Sequence, residues 1–229
     1  MAVAYDTDVA WTSAAATSTS QALTLGASAT VLYIGQIADA SSFTNPNPTS
    51  IQYNSVAVST TPIIQFETNR AIRIWRLISP DTGSSYNIDI SWTGSYTGKW
   101  FAFSVSGTDT SSPDGSSSYQ NDNGASVTSL STTVTSAVDD MVVSLVNANG
   151  PPGNLTTTGS DGTEQLEADL SSVALQIQSA AGASSVTMAT TWVGAQGAAM
   201  VAFNINQPAA ASGGGLQLVG GAGLVGSNG

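Results

Sequence analysis

Residues 70–113 constrain the fold most, because three strand-like stretches in this run are separated by short turns rich in Gly, Pro, Asp and Ser. In the middle stretch, residues 86–92, an apolar side chain at every even position alternates with a polar one at every odd position. This period of two predicts a strand with one buried face. The flanking stretches, residues 71–78 and 100–105, are largely apolar on both faces, which is typical of strands covered on both sides. The sequence therefore predicts an antiparallel meander.

The same signals recur along most of the chain, where short apolar and β-branched runs are bounded by turn residues. Further strands are predicted at residues 30–38, 50–59, 62–66, 132–135, 141–148, 173–179, 185–193 and 198–206. One helix-like run, residues 163–170, is about two turns long. Roughly ten short strands predict an all-β fold, a two-sheet antiparallel β-sandwich of the jelly-roll type, and exclude a parallel βαβ sheet.

The chain of 229 residues is long for one average domain, but all-β sandwiches of about 200 to 250 residues are common as single domains. We therefore expect one β-sandwich domain over residues 1–206. Residues 207–229 form a Gly/Ala-rich arm that cannot build a core of its own. Its apolar residues predict docking on a neighbouring molecule, with a disordered end as the alternative. These assembly residues are Leu216, Leu218, Val219, Leu224 and Val225.

Charged residues make up only 8% of the chain, against about 25% in an average soluble protein, so the surface is predicted to be mostly hydroxyl and amide. No charged side chain follows Asp169. Two explanations stay open: the last quarter is buried in an assembly, or it is a Ser/Thr-coated face with a loose tail. The net charge of -11 repels nucleic acid and excludes genome binding.

All four basic residues lie in the central segment. Strand alternation places Arg73 and Arg76 on opposite faces, so at least one guanidinium is expected to be partly buried and to need a carboxylate or carbonyl partner. Asp81 and Asp89 are the predicted partners within the sandwich, and an ion pair across a subunit interface is the alternative. Lys99, beside a glycine turn, is expected to be a solvated charge.

Neither histidine nor cysteine occurs in the chain. Their absence excludes Ser-His-Asp triads, thiolate nucleophiles, His-ligated zinc and disulfides. A glycosidase-type carboxylate pair needs two acidic groups about 5 to 10 Å apart on one concave face. No spacing in the sequence indicates such a pair, since Glu164 and Glu167 fit the solvated side of the predicted short helix. We therefore predict that the protein is not an enzyme.

Three aspartates, Asp109, Asp114 and Asp122, lie within the polar stretch of residues 109–124. Asp and Asn stabilise turns through their own backbone, so this stretch is predicted to be a surface loop. Calcium favours six to eight oxygen ligands, which makes a Ca²⁺ site the alternative, although the spacing is not that of an EF-hand. No other cofactor is expected.

Two tyrosines are the predicted contacts for a ligand or a partner. Tyr96 lies between two glycines in the expected turn of residues 93–98, and Tyr119 lies in the polar stretch. Aromatic rings with little to bury against are suited to stack on a sugar or on another protein. Trp92, by contrast, shares a face with apolar neighbours and is expected in the core.

Export and membrane insertion are not predicted. The N-terminal segment carries Asp6 and Asp8 where a signal peptide would be apolar. Residues 193–205 are apolar but, at about 13 residues against the roughly 20 required, too short to span a bilayer as a helix. We expect synthesis in the host cytoplasm and no membrane partner.

Several segments follow the same order as in a family of β-sandwich modules: YDTDVAW, TSIQYNSVAV, RIWRLISPDTGSSYNIDISWTGS, FAFSVSGTDTSSP, AVDDMVVSLV and AAGASSVTMATTW followed by AMVAFNI. Over residues 1–206 the chain resembles concanavalin-like jelly-roll modules, which recur in phage virion proteins and some bacterial surface proteins. The resemblance implies a structural or adhesive module without common catalytic machinery. The family often shows Asn-Gly where this chain has Asn54 and Ser55, so a type I′ turn is less favoured here.

Together these observations predict a non-enzymatic structural protein of a tailed-phage virion, a decoration or accessory protein on the surface of the head or tail. Its expected partners are other virion proteins and further copies of itself, such as in a trimer. A receptor- or glycan-binding module of a tail tip or fibre, with a host surface glycan as partner, is the alternative. A bacterial surface adhesin module is the third hypothesis.

Overall fold

A computed structural model describes residues 2–38, 47–67, 70–122, 125–150 and 155–209. The described residues form sixteen strands, all paired antiparallel, and no helix, so the predicted all-β antiparallel sandwich is confirmed. No helix long and apolar enough to cross a membrane occurs in this part of the chain. The strands are β1 (Ala4–Thr12), β2 (Ala16–Thr24), β3 (Ala29–Ala38), β4 (Pro48–Tyr53), β5 (Val56–Val58), β6 (Ile64–Glu67), β7 (Ala71–Ile78), β8 (Ser85–Tyr96), β9 (Lys99–Ser106), β10 (Asp114–Asn121), β11 (Val127–Val134), β12 (Met141–Asn149), β13 (Thr163–Asp169), β14 (Val173–Ala181), β15 (Val186–Gln196) and β16 (Ala198–Ile205).

The strands form four sheets stacked as four layers. At the centre lie the first central sheet, β1-β9-β3-β7-β6, and the second central sheet, β10-β16-β12-β14-β13. The first outer sheet, β2-β8-β4-β5, covers the first central sheet. The second outer sheet, β11-β15, covers the second central sheet. The sequence predicted one sandwich of two sheets, whereas the structure has two such sandwiches packed back to back. The reason is that the strands that are apolar on both faces are covered by another sheet on each side.

Three hydrophobic cores separate these layers. The largest lies between the central sheets and includes Tyr33, Phe103, Leu145 and Phe203. The core under the first outer sheet is rich in tryptophan, whereas the core under the second contains smaller side chains and methionine. The inner strands β3, β7, β9, β12, β14 and β16 each contribute side chains to two cores at once, which explains their apolar character on both faces.

The two sandwiches repeat one topology. Strands β1, β9, β3, β7 and β6 occupy the same order in the first central sheet as β10, β16, β12, β14 and β13 in the second. The border strands carry a bulge at the same step, residues 5–7 and 114–117. The outer ladders are likewise interrupted at residues 92–95 and 192–195. The described chain is thus an internal duplication, with a first half (β1–β9) and a second half (β10–β16).

The halves meet as the subunits of a symmetric dimer do. Strand β1 lies against β13, and β6 lies against β10, so equivalent strands occupy opposite borders. At one end Arg70 Nε donates to the carbonyl of Gly197 at 3.2 Å, and Lys99 Nζ donates to Ser172 Oγ at 2.6 Å. Arg70 lies in the β6–β7 loop and reaches the β15–β16 turn of the second half. Ser172 lies in the equivalent β13–β14 loop and is bonded by Lys99, which directly follows the equivalent β8–β9 turn of the first half. This reciprocity indicates a pseudo-two-fold axis parallel to the strands.

Local structure differs from the predictions at three places. Residues 163–170 are not helical but form β13, because Leu166 and Ala168 cover the border of the central core. Half of the polar stretch 109–124 is strand β10, whose polar composition reflects a border position with mainly exposed side chains. At the β4–β5 turn Asn54 and Ser55 both have positive φ, 48° and 65°, as a type I′ hairpin requires, so the turn forms without glycine.

Phe203→Ala tests whether the core between the central sheets holds the two halves together. Phe203 is 1% exposed and its ring contacts that of Tyr33 at 5.5 Å between centroids. We expect the substitution to lower the free energy of unfolding by about 3 to 5 kcal/mol, because it removes buried contacts and leaves a cavity. Urea unfolding followed by tryptophan fluorescence gives the value.

Val193→Ala is the matched control, since Val193 is 85% exposed and its loss is expected to change stability by less than about 0.5 kcal/mol. Both variants are expected to unfold in one transition, because the central core belongs to both halves. Equal effects of the two substitutions, or separate transitions for the two halves, would contradict a shared core.

Candidate functional site

All four basic side chains make contacts inside the protein, and three of them link the halves. These contacts include Arg70 to the Gly197 carbonyl, Arg73 to Glu67, Arg76 to Asp114 and Lys99 to the Ser172 hydroxyl. The predicted arginine partners were wrong, because the nearer carboxylates come from the adjacent strand β6 and from β10 across the junction. Lys99 is only 8% exposed rather than solvated.

Each of the three candidate calcium ligands has a structural role. Asp109 is exposed and accepts bonds from the Ser111 amide and hydroxyl, which hold the pKa of its carboxyl below the usual value. Asp114 pairs with Arg76 and accepts a bond from the Tyr33 hydroxyl at 2.9 Å.

Asp122 is 5% exposed and accepts the Ala198 amide at 2.8 Å. Within the described ranges, no group of three or more His, Cys, Asp or Glu side chains is arranged to hold a metal ion.

Both glutamates of β13 accept hydrogen bonds, one of them from the segment that precedes this strand. Glu167 Oε1 accepts the amide of Leu155 at 2.8 Å, and Glu164 Oε2 accepts a bond from the buried Gln176 side chain at 2.7 Å. The predicted helix was therefore wrong, although Glu164 is exposed as expected, whereas Glu167 is partly buried. Their carboxylates bond groups of the second half instead.

A cleft of about 480 Å³ lies at the end of the molecule where the described part of the chain begins and ends. Val138, which is 74% exposed, lines it together with Asp139 and Asp140. The buried Asp140 accepts the amide of Gln207 at 2.9 Å, and Asp139 accepts the amide of Val3 through its carbonyl. The predicted assembly residues 216–225 lie outside the described residues, and the described chain reaches Ala209 at this end.

Tyr96 is not at the apex of a turn. Strand β8 continues to Tyr96, and the turn to β9 consists of residues 97 and 98. A positive φ of 83° at Gly94 belongs to the interrupted stretch of β8 and returns the chain to the sheet. The Tyr96 ring is half-buried against Trp92, with 6.3 Å between centroids, so much of it packs on the core under the first outer sheet.

Tyr119, by contrast, is the most exposed aromatic side chain among the described residues, at 66%. It lies on border strand β10, and its ring contacts that of Phe66 on β6 at 4.9 Å between centroids and 43° between planes. The register places Ser117 and Asn121 on the same face of β10 as Tyr119. We call this surface, formed by Phe66, Ser117, Tyr119 and Asn121, the aromatic groove.

Phe66 is buried, at 6% exposure, and supports one part of the Tyr119 ring, while two thirds of the Tyr119 surface is exposed. Sequence analysis identified Tyr119 but missed Phe66, since nothing in the local pattern around residue 66 places it beside a strand of the other half.

Comparisons of this chain with protein-family models, with curated proteins and with solved structures find no match. The resemblance to concanavalin-like modules therefore stays a prediction.

Asp114→Asn tests the ion pair across the junction. The substitution keeps the shape of the side chain but removes the charge that pairs with Arg76, so about 1 to 3 kcal/mol of stability should be lost. Urea unfolding of Asp114→Asn, Arg76→Gln and the double variant gives the coupling free energy between the two groups. Asp89→Asn is the control, because Asp89 is exposed on the first outer sheet and was the predicted partner. A larger effect at Asp89 than at Asp114 would overturn the pairing.

Alkaline pH tests the burial of Tyr53, whose pKa is raised to about 12, first by burial and then by Tyr86 and Asp81. Above the ordinary tyrosine pKa of about 10 the unfolded chain loses this proton while the folded chain keeps it, so stability falls with rising pH. Unfolding of the native chain and of Tyr53→Phe, compared between pH 10 and 12, should differ in slope by up to about 1.4 kcal/mol per pH unit. Identical slopes would contradict a buried hydroxyl at this position.

Proposed function

We propose that the protein is a non-enzymatic structural component of a tailed-phage virion, attached to the head or the tail as a decoration or accessory protein. The observation that carries the proposal is the use of the basic groups, all four of which make contacts inside the protein, three of them between its halves. Such a molecule is built as one rigid block. Attachment is then left to its surfaces and to the C-terminal arm.

The outer faces support a position on the exterior of a particle. Exposed hydroxyls cover both outer sheets, at Ser18, Ser20, Ser129, Ser131 and Thr133 among others. Together with a net charge of -11, these faces stay hydrated and resist nonspecific association. A surface of this kind suits a component that faces solvent on two opposite sides.

The placement of the chain ends supports attachment through one end. Val3 and Gln207 are both bonded to the segment of residues 138–140, so the start of β1 and the end of β16 lie together. The arm of residues 207–229, with its apolar residues, follows directly from this end. We propose that this end faces the particle and that the arm binds another virion protein.

Ending the chain after Ala209 tests the role of the arm. We expect the shortened chain to keep its circular dichroism spectrum and melting temperature, because the described core ends before this point, and to lose binding to particles that lack the protein. Cosedimentation with such particles measures the binding. Replacing Leu216 and Leu218 by serine in the full chain keeps the length of the arm, so it measures how much the apolar side chains themselves contribute to binding. Undiminished binding of both variants would overturn the arm as the attachment.

A second candidate function is recognition of a host receptor or glycan at a tail tip or fibre. It is favoured by one observation, the exposed Tyr119 ring supported by Phe66. Gold-labelled antibodies on intact particles distinguish the two candidates. Label over the head supports decoration, and label confined to the tail end supports receptor binding.

A further inference from the structure

The duplication provides a comparison position for every residue of the core strands. Tyr119 pairs with Val201, and at the equivalent position of the first half Ala10 pairs with Phe101. Phe66 pairs with Ile72, and its equivalent Ala168 pairs with Leu175. One border of the molecule thus carries two aromatic rings where the other border carries two methyl groups.

This difference is not explained by the packing of the fold. At the border with Ala10 and Ala168 both alanines pack against the same central core, and the aromatic ring of that border, Tyr5, is stacked on Phe103 rather than exposed. Tyr119 instead leaves two thirds of its surface in solvent, as an exposure of 66% shows. A large exposed ring on a border strand is a liability for association, so its presence at one border only points to a binding role.

The chemistry of the groove narrows the class of ligand. Ser117 and Asn121 flank Tyr119 at intervals of about 7 Å along β10, the repeat of alternate residues in a strand. The groove thus combines one face of an aromatic ring with a hydroxyl and an amide. A pyranose ring has the complementary groups, an apolar C–H face that stacks on an aromatic ring and hydroxyls that bond to polar side chains.

Electrostatics argue against an anionic ligand. The net charge is -11, and all four basic side chains are engaged in contacts elsewhere in the protein. A phosphorylated, sulfated or acidic sugar would therefore meet repulsion without a cationic partner.

We infer that the aromatic groove is a binding subsite for a neutral sugar ring, with Tyr119 as the stacking platform and Phe66 as its support. The inference rests on the second candidate function and is independent of the C-terminal arm. Ser117 is the group placed to bond sugar hydroxyls beside the ring.

The test is titration calorimetry of the full chain with maltohexaose, cellohexaose, mannohexaose and chitohexaose, and with hexagalacturonate as the acidic probe. We expect binding of at least one neutral probe and weaker binding of hexagalacturonate. Tyr119→Ala should then reduce the affinity about tenfold or more, whereas Tyr119→Phe, which keeps the ring, should stay within about threefold. Val193→Ala, which changes a similarly exposed apolar residue at another place, should leave the affinity unchanged.

The outcomes separate the inference from the function on which it rests. Binding by the native chain that survives Tyr119→Ala would leave glycan recognition standing and overturn the groove as its site. Binding of no neutral probe, or preferred binding of hexagalacturonate, would overturn the inference as stated. Sedimentation velocity adds one check, because loss of a self-associated species in Tyr119→Ala would mean that a second copy, not a sugar, covers the ring. Melting temperatures confirm that the variants are folded.

Discussion

Burial of both faces of the central sheets is the constraint on which the rest of the structure depends. Strands such as β3, β9, β12 and β16 place alternate side chains into two different cores, so they leave almost no position for a charge. The few cations are therefore all held by partners: Arg73 pairs with Glu67 of the adjacent strand, and Arg70, Arg76 and Lys99 bond across the junction. The low charge content of the sequence and the location of its few cations have this one physical cause.

The two halves share their backbone but not the chemistry of their interiors. In the first sandwich Trp75 packs in the core. At the equivalent position of the second sandwich, the side chain of Gln178 donates hydrogen bonds to Gln176 and Thr190, and these three residues are fully buried. Burying an amide costs little free energy when its hydrogen bonds are satisfied. The same fold can therefore hold a polar network in place of aromatic side chains without a change in the pairing register of its strands. Differences between the halves therefore show where side chains are set by something other than the topology.

Much of the fold was predictable from the sequence, because alternation in residues 86–92 and doubly apolar neighbours indicate covered antiparallel strands. The duplication was not recognised, although Trp92-x-Gly94 recurs as Trp192-x-Gly194 and Ala102-Phe103 as Ala202-Phe203. The sequence did not reveal border strands β1, β2 and β10, because their residues show no regular alternation of apolar and polar side chains. The arginine partners and the support of Tyr119 by Phe66 depend on contacts between halves, which no local pattern encodes.

The position of β16 gives the molecule a mechanical property. This strand lies between β10 and β12 and bonds to both along most of its length. A pull on the following segment, opposed by a load at the far end, acts along the strand and stretches the hydrogen bonds of both ladders together instead of opening them one by one. The protein is therefore built to resist tension applied through its C-terminal segment, and it would yield more readily to a sideways pull that peels a border strand away.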